Sequence, residues 1–178
     1  MRPSSLARSR GIAVSQADPT GRILTGLSDA GVEFIVVGMT AGVMLGAPVV
    51  TFDVDILHRR DAENVERLMS WLVARHAFHR FDLQNRRLPP TREQLAGSGH
   101  VNLQTDLGKL DVLCELSVGE GYEQVLPDTV WLEHGSHRIR VLSLERLIAV
   151  KAQAGRPKDR IVLPVLIATL EEQRSRKP

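Results

Sequence analysis

The sequence contains a single cysteine, Cys114, so no disulfide can form within the chain, and a reducing compartment suits it. Aromatic residues are nearly as scarce. Four Phe, two Trp and one Tyr make up 4% of the residues, which leaves Leu, Val, Ile and Ala to fill the core. No apolar run approaches the roughly 20 residues that a spanning helix requires, and no apolar block follows the N-terminal arginines as a secretory leader would demand. These absences predict a soluble, cytoplasmic protein without membrane contact. A phosphate loop ending in Gly-Lys-Ser/Thr, a Gly-x-Ser-x-Gly elbow and a His-Glu-x-x-His pair are all missing. Zinc chemistry is set aside with them: His76 and His79 sit near a predicted helix end, His134 and His137 flank a predicted turn, and only one cysteine could join them.

What remains is a chain of 178 residues, 43% hydrophobic, long enough for one full core and short for two. Residues 1–17 lack an apolar period and read as a mobile arm, with one domain over 18–178. The net charge of +2 is unevenly spread: residues 1–22 carry +3, residues 23–137 carry −7, and residues 138–178 carry +6. An acidic middle with a basic C-terminal part suits a site that gathers cations and a polyanion.

The spacing predicts a helix opened by Asp18-Pro19, with Ile23, Leu24, Leu27 and Ala30 buried and Gly31 as its stop. A short apolar strand over 33–37 ends at Gly38, a small-residue helix spans 40–45, and a second strand spans 51–57. Asp61 caps a helix carrying Val65, Leu68, Met69 and Leu72 at helical spacing. Residues 79–99 are polar and irregular, apart from one helical turn with Thr91 and Gln94 as a capping box. Residues 101–105 and 109–116 form one hairpin, and 129–134 and 137–142 a second. Ser143 caps a helix through Ala154, and Pro164 should kink or split a last helical stretch that begins at Lys158. The expected fold is α/β in the broad, α+β sense: a mixed sheet flanked by helices, with a helical C-terminal segment.

Side chains alternate along a strand, so Thr51, Asp53, Asp55 and Leu57 share one face of the strand over 51–57. Two carboxylates two residues apart lie about 7 Å from each other, and inside an apolar element they are costly unless a cation compensates. Mg²⁺, which prefers carboxylate oxygen and bridges to phosphates, is the natural compensator. Asp111 shares a face with Lys109 on a neighbouring candidate strand and would complete a three-carboxylate cradle able to position a triphosphate and activate a hydroxyl. Gly38 ends a strand and opens a helix, where backbone amides can approach phosphate. Lys151 falls at the end of the stripe Leu144, Leu147, Ile148, aimed either at solvent or at an anionic cleft. Cys114 lies on the apolar side of its strand and reads as a core residue.

The ordered set Phe34-Ile-Val-Val-Gly38, Thr51-Phe-Asp53-Val-Asp55, Gly108-Lys-Leu-Asp111, Leu147-Ile-Ala-Val-Lys151 and Arg156-Pro-Lys-Asp159 resembles the nucleotidyltransferase superfamily. Within it, the set is most similar to the small bacterial relatives of type IV toxin (abortive-infection) nucleotidyltransferases. The resemblance implies transfer of a nucleotidyl group from a nucleoside triphosphate to a hydroxyl of RNA, a protein or a small molecule, with Mg²⁺ or Mn²⁺ on Asp53, Asp55 and Asp111. It implies a phosphate-binding turn at Gly38, Met39 and Thr40, completed by Lys151 and Asp159, and a cognate antitoxin as a partner. The chain departs from the family pattern at Met39, where Gly or Ser is usual, at Val49, where Arg often stands, and at Val162, where an acid is frequent. A second reading is therefore a non-catalytic member that binds nucleotide or a partner protein.

Overall fold

A computed structural model describes Ser15 and residues 18–176, so the arm expected over 1–17 lies outside the described residues except at Ser15. Asp18 caps α1 (Pro19–Asp29), its carboxylate accepting from the Gly21 amide at 2.7 Å. After Gly31, in the left-handed region at φ 69°, come β1 (Phe34–Val36), α2 (Gly38–Met44), β2 (Asp53–His58) and α3 (Ala62–Ala74). Strand β2 starts two residues later than the apolar pattern predicts. Its first paired residue is Asp53, opposite Lys109, and residues 51–52 have no strand beside them.

The segment expected to be irregular contains the edge strand β3 (Phe78–His79), too short to show a period, and α4 (Arg92–Ala96). The α4 capping box is complete: the Gln94 amide donates to Thr91 Oγ1, and the Thr91 amide donates to Gln94 Oε1. Strands β4 (His100–Gln104) and β5 (Lys109–Leu113) form the first hairpin. A short α5 (Tyr122–Val125) and a 3₁₀ turn (Leu126–Asp128) lead into the second, β6 (Thr129–His134) and β7 (His137–Leu142). Ser143 caps α6 (Leu144–Ala154), and α7 (Pro157–Ser175) closes the described chain.

The split allowed for at Pro164 does not occur: α7 runs through it for 19 residues. Pro164 is exposed, so water can satisfy the carbonyl one turn earlier that the missing N–H would have bonded. Among the described residues, no helix is long and apolar enough to cross a membrane.

The seven strands form one mixed sheet in the order β3-β4-β5-β2-β1-β7-β6, parallel at β2/β5 and β1/β7 and antiparallel elsewhere. Val54, Ile56, Val101, Leu103, Leu110 and Val112 alternate onto one face and are buried, mostly at 0% exposure. α1 and α3 pack on each other and cover that side, with α1 touching β2 and β7. α2, α6 and α7 pack together on the opposite face, where Gly42 of α2 meets Leu147 and Leu166.

Two buried polar side chains tie the layers. Asn64 on α3 accepts from the Glu33 amide at 2.7 Å and donates to the carbonyls of Glu33 and Arg59, fixing the start of β1 against the end of β2. The His58 ring lies 3.1 Å from the Leu113 carbonyl and 2.8 Å from that of Leu95, joining β2 to β5 and α4. Asn64→Ala removes the partners of the Glu33 amide and the Arg59 carbonyl, leaves the Glu33 carbonyl with only its bond from the Arg59 amide, and should cost about 2–4 kcal/mol. Urea unfolding should show a lower midpoint with an unchanged slope.

Candidate active site

The parallel register of β2 and β5 sets Asp55 opposite Asp111 and Asp53 opposite Lys109. The antiparallel register of β5 and β4 sets Asp111 opposite Asn102, and the Arg80 amide donates to the Asn102 carbonyl at 2.9 Å. Asp55, Asp111 and Asn102 therefore form one row across three strands, which Arg80 just past β3 extends, on the face that α2, α6 and α7 only partly cover. Asp53 stands in the next row beside it. All three sequence-predicted carboxylates thus share one face of two adjacent strands.

Gly38 fits this arrangement for a reason beyond phosphate approach. Its φ is 58°, and a Cβ placed on it would lie 2.1 Å from Asp55 Oδ2. The turn from β1 into α2 can press against the Asp55 carboxylate only because no side chain intervenes. Thr40, next along α2, is fully buried and donates its hydroxyl to the Asp53 carbonyl at 2.8 Å, pinning α2 to the first residue of β2. The Met39 side chain packs on the core, its Cε 3.1 Å from where a Gly42 Cβ would lie. The thioether is thereby directed along its own helix.

Arg80 was not legible in the sequence, because it follows a two-residue strand within a segment without period. Its Nη2 donates to Asp111 Oδ1 at 2.7 Å, and its Nη1 lies 3.3 Å from Asp53 Oδ2. The Arg80 side chain is 14% exposed, and among the described residues its buried Nε and Nη1 have no hydrogen-bond partner. Lys109 Nζ lies 3.6 Å from the other oxygen of Asp53. Among the described residues Asp55 has no such partner, and its carboxyl is pushed up to about 7 by burial first, then by the charges of Asp111 and Asp53, with Lys151 and Lys158 pulling the other way.

Lys151 and Asp159 are engaged with each other. Lys151 Nζ donates to Asp159 Oδ1 at 2.8 Å, Arg156 Nε donates to Oδ2 at 2.7 Å, and the Asp159 carboxylate is wholly buried. Burial alone would raise the Asp159 carboxyl, but the hydrogen bonds from Lys151 and Arg156 outweigh it and hold the group below its ordinary range. The pair clamps α6 to α7. Cys114 is buried as expected, and burial pushes its thiol up, away from nucleophilic character.

The donor chemistry at the three aspartates suits a hard divalent cation: only carboxylate oxygens are offered, and Asp55 is strained by its neighbours' charge. Among the described residues, however, no group of three or more His, Cys, Asp or Glu is arranged to hold a metal ion. Arg80 takes up oxygens of Asp53 and Asp111 that such an ion would need. A cavity of about 340 Å³ borders Asn102 and Phe81 beside Arg80, whereas a larger one of about 520 Å³ lies away from the carboxylates, around His76, Phe78 and Arg87.

A mixed sheet with an aspartate pair on a central strand and a third aspartate beside it on a parallel neighbour has the form of a nucleotidyltransferase, and solved structures share the fold. A protein from Thermotoga maritima assigned to the nucleotidyltransferases aligns at 19% identity over 83% of this chain and 89% of its own, with a TM-score of 0.51. An antigenic nucleotidyltransferase-like protein from Paracoccidioides brasiliensis aligns at 15% identity over 85% of this chain and 73% of its own, with a TM-score of 0.58. This chain belongs to the family described as nucleotidyl transferase of unknown function (DUF2204), whose profile matches residues 17–176. No curated protein matches it.

Two outcomes follow from the electrostatics. An unfolded Asp55 ionises near the ordinary value of 3.8, while the folded one holds its proton to about 7. Below the lower value both states are protonated, and between the two the folded state binds more protons, so stability falls as pH rises. Asp55→Asn should therefore gain stability relative to wild type from about pH 4 to 7 and keep a constant advantage above, as read by thermal melts across that range. Asp159→Asn leaves Lys151 without its buried counter-charge and should lower the unfolding free energy by about 3–5 kcal/mol, as measured in urea at neutral pH.

Proposed function

We propose that the protein is an Mg²⁺- or Mn²⁺-dependent nucleotidyltransferase that moves a nucleotidyl group from a nucleoside triphosphate to a hydroxyl acceptor. The observation that carries the proposal is the placement of Asp53, Asp55 and Asp111 on one face of adjacent parallel strands, next to a glycine turn that tolerates no side chain. Membership of the nucleotidyl transferase family supports it.

In the proposed reaction, the acceptor oxygen bonds to the α-phosphorus while the bond from that phosphorus to the pyrophosphate oxygen breaks. Pyrophosphate leaves with the electron pair, and the hydroxyl proton passes to Asp111. Asp53, Asp55 and Asp111 would hold the divalent ion, which neutralises charge developing on the phosphates. The amides at Gly38, Met39 and Thr40 would line the phosphate turn, and packing of the Met39 side chain on the core leaves that turn to the backbone. RNA, a protein or a small molecule can supply the acceptor hydroxyl. The toxin role, with a cognate antitoxin as partner and the cytoplasm as the place of action, rests on the resemblance of the spaced motifs alone.

One observation favours a second reading, a non-catalytic member that binds nucleotide or a partner protein. Lys151 is held by Asp159 instead of standing free for phosphate. Incubation with each labelled nucleoside triphosphate, Mg²⁺ or Mn²⁺ and total RNA or lysate separates the two. Transferred label is expected in wild type, with a loss of at least about 100-fold, roughly 2.7 kcal/mol in the barrier, in Asp53→Asn and Asp111→Asn. A nucleotide-induced rise in melting temperature without label transfer from any nucleotide would establish the second reading.

A further inference from the structure

Arg80 poses a question that the proposed reaction does not answer. A guanidinium and a divalent cation compete for the same lone pairs of Asp53 and Asp111, and like charges at such separations repel. The arginine is also poorly satisfied where it stands. It has five N–H donors, yet its buried Nε and Nη1 lack hydrogen-bond partners among the described residues, and the Nη1 approach to Asp53 is an ion pair only. Its single full hydrogen bond to a carboxylate is Nη2 to Asp111.

Arg80 stands near an edge of the sheet, although the guanidinium itself is largely buried. Arg80 follows a two-residue edge strand, and beyond that edge the sheet continues no further. The guanidinium lies 5.1 Å from the centre of the exposed Phe81 ring, a surface along which a planar cation keeps contact while changing partners. An anion suited to the forked, planar guanidinium is a phosphate group, which it can bind bidentately.

We propose that Arg80 is a partner-exchanging residue: it neutralises Asp53 and Asp111 in the ion-free protein and transfers to the polyphosphate of the nucleotide when a divalent ion takes the carboxylates. The inference rests on the reading of the three aspartates as a metal site. Arg80 thus lessens repulsion between Asp53 and Asp111 before substrate arrives and makes ion binding conditional on an anion that accepts the displaced guanidinium.

The test uses Mn²⁺ and inorganic triphosphate, so the identity of the base does not matter. Free Mn²⁺ is followed by electron paramagnetic resonance in wild type, Arg80→Met and Arg80→Lys. Arg80→Met, which keeps much of the apolar stem, should bind Mn²⁺ alone about tenfold more tightly than wild type, because the competitor is gone. The same variant, saturated with Mn²⁺, should bind triphosphate about tenfold more weakly, and Arg80→Lys should fall between the two in both assays. A greater Mn²⁺-induced rise in melting temperature for Arg80→Met than for wild type supports the first half of the proposal. Equal Mn²⁺ affinity in wild type and Arg80→Met, or unaltered triphosphate affinity, overturns the Arg80 proposal while leaving the metal site intact. Absence of Mn²⁺ binding in both proteins overturns the metal site and the Arg80 proposal together.

Discussion

The pairing of β2 with β5 is the constraint on which the rest depends. These two strands lie side by side and run in the same direction, although more than fifty residues separate them in the chain. The apolar alternates Val54, Ile56, Leu110 and Val112 hold this pairing in register from the buried side. A slip of one residue in β2 would turn Val54 and Ile56 to the open face and bury Asp53 and Asp55. The hydrophobic effect acting on one face therefore fixes the spacing of the charges on the other, and Asp55 has no freedom to move away from Asp111.

That geometry carries an electrostatic cost, and the molecule distributes it unequally. Asp53 and Asp111 share Arg80, and Asp53 also meets Lys109, whereas Asp55 is left to burial and a neighbouring glycine. The lysine and aspartate further along the chain resolve their charges between themselves, together with Arg156. Cations and anions in the acidic centre are thus nearly all committed to one another, and under the proposed function a polyanion would bind there by exchange of partners more than by attraction to open charge.

Much of this was legible in the sequence because strands and caps obey local rules. The second hairpin and α6 have the predicted bounds, since a Gly-Ser turn, a serine cap and a glycine stop lie within a few residues of the structure they govern. The aspartate pair was legible for the same reason, as alternation along one strand places both carboxylates on one face. Its junction with Asp111 was open to inference only as a candidate, because register between distant strands is a property of the whole sheet. Arg80 left no local signal: β3 is too short for a period, and the arginine acquires its meaning from a carboxylate two strands away. Pro164 does not split α7, since its effect depends on whether the freed carbonyl faces water, which the sequence does not state.

The final helix gives the site a boundary that motif positions alone would misplace. Asp159 lies in its first turn and neutralises Lys151, while Gln173 near its far end donates to the Leu45 carbonyl at 2.6 Å, at the end of α2. One rod therefore touches both the charge balance behind the carboxylates and the helix that carries the glycine turn. A fragment ending before residue 157 would contain Gly38, Asp53, Asp55, Asp111 and Lys151, and would still not be a smaller version of the same site. It would have an ammonium without its counter-ion and an α2 without the Gln173 contact. Helix α7 is consequently part of the support of the candidate site, although it carries none of the three carboxylates.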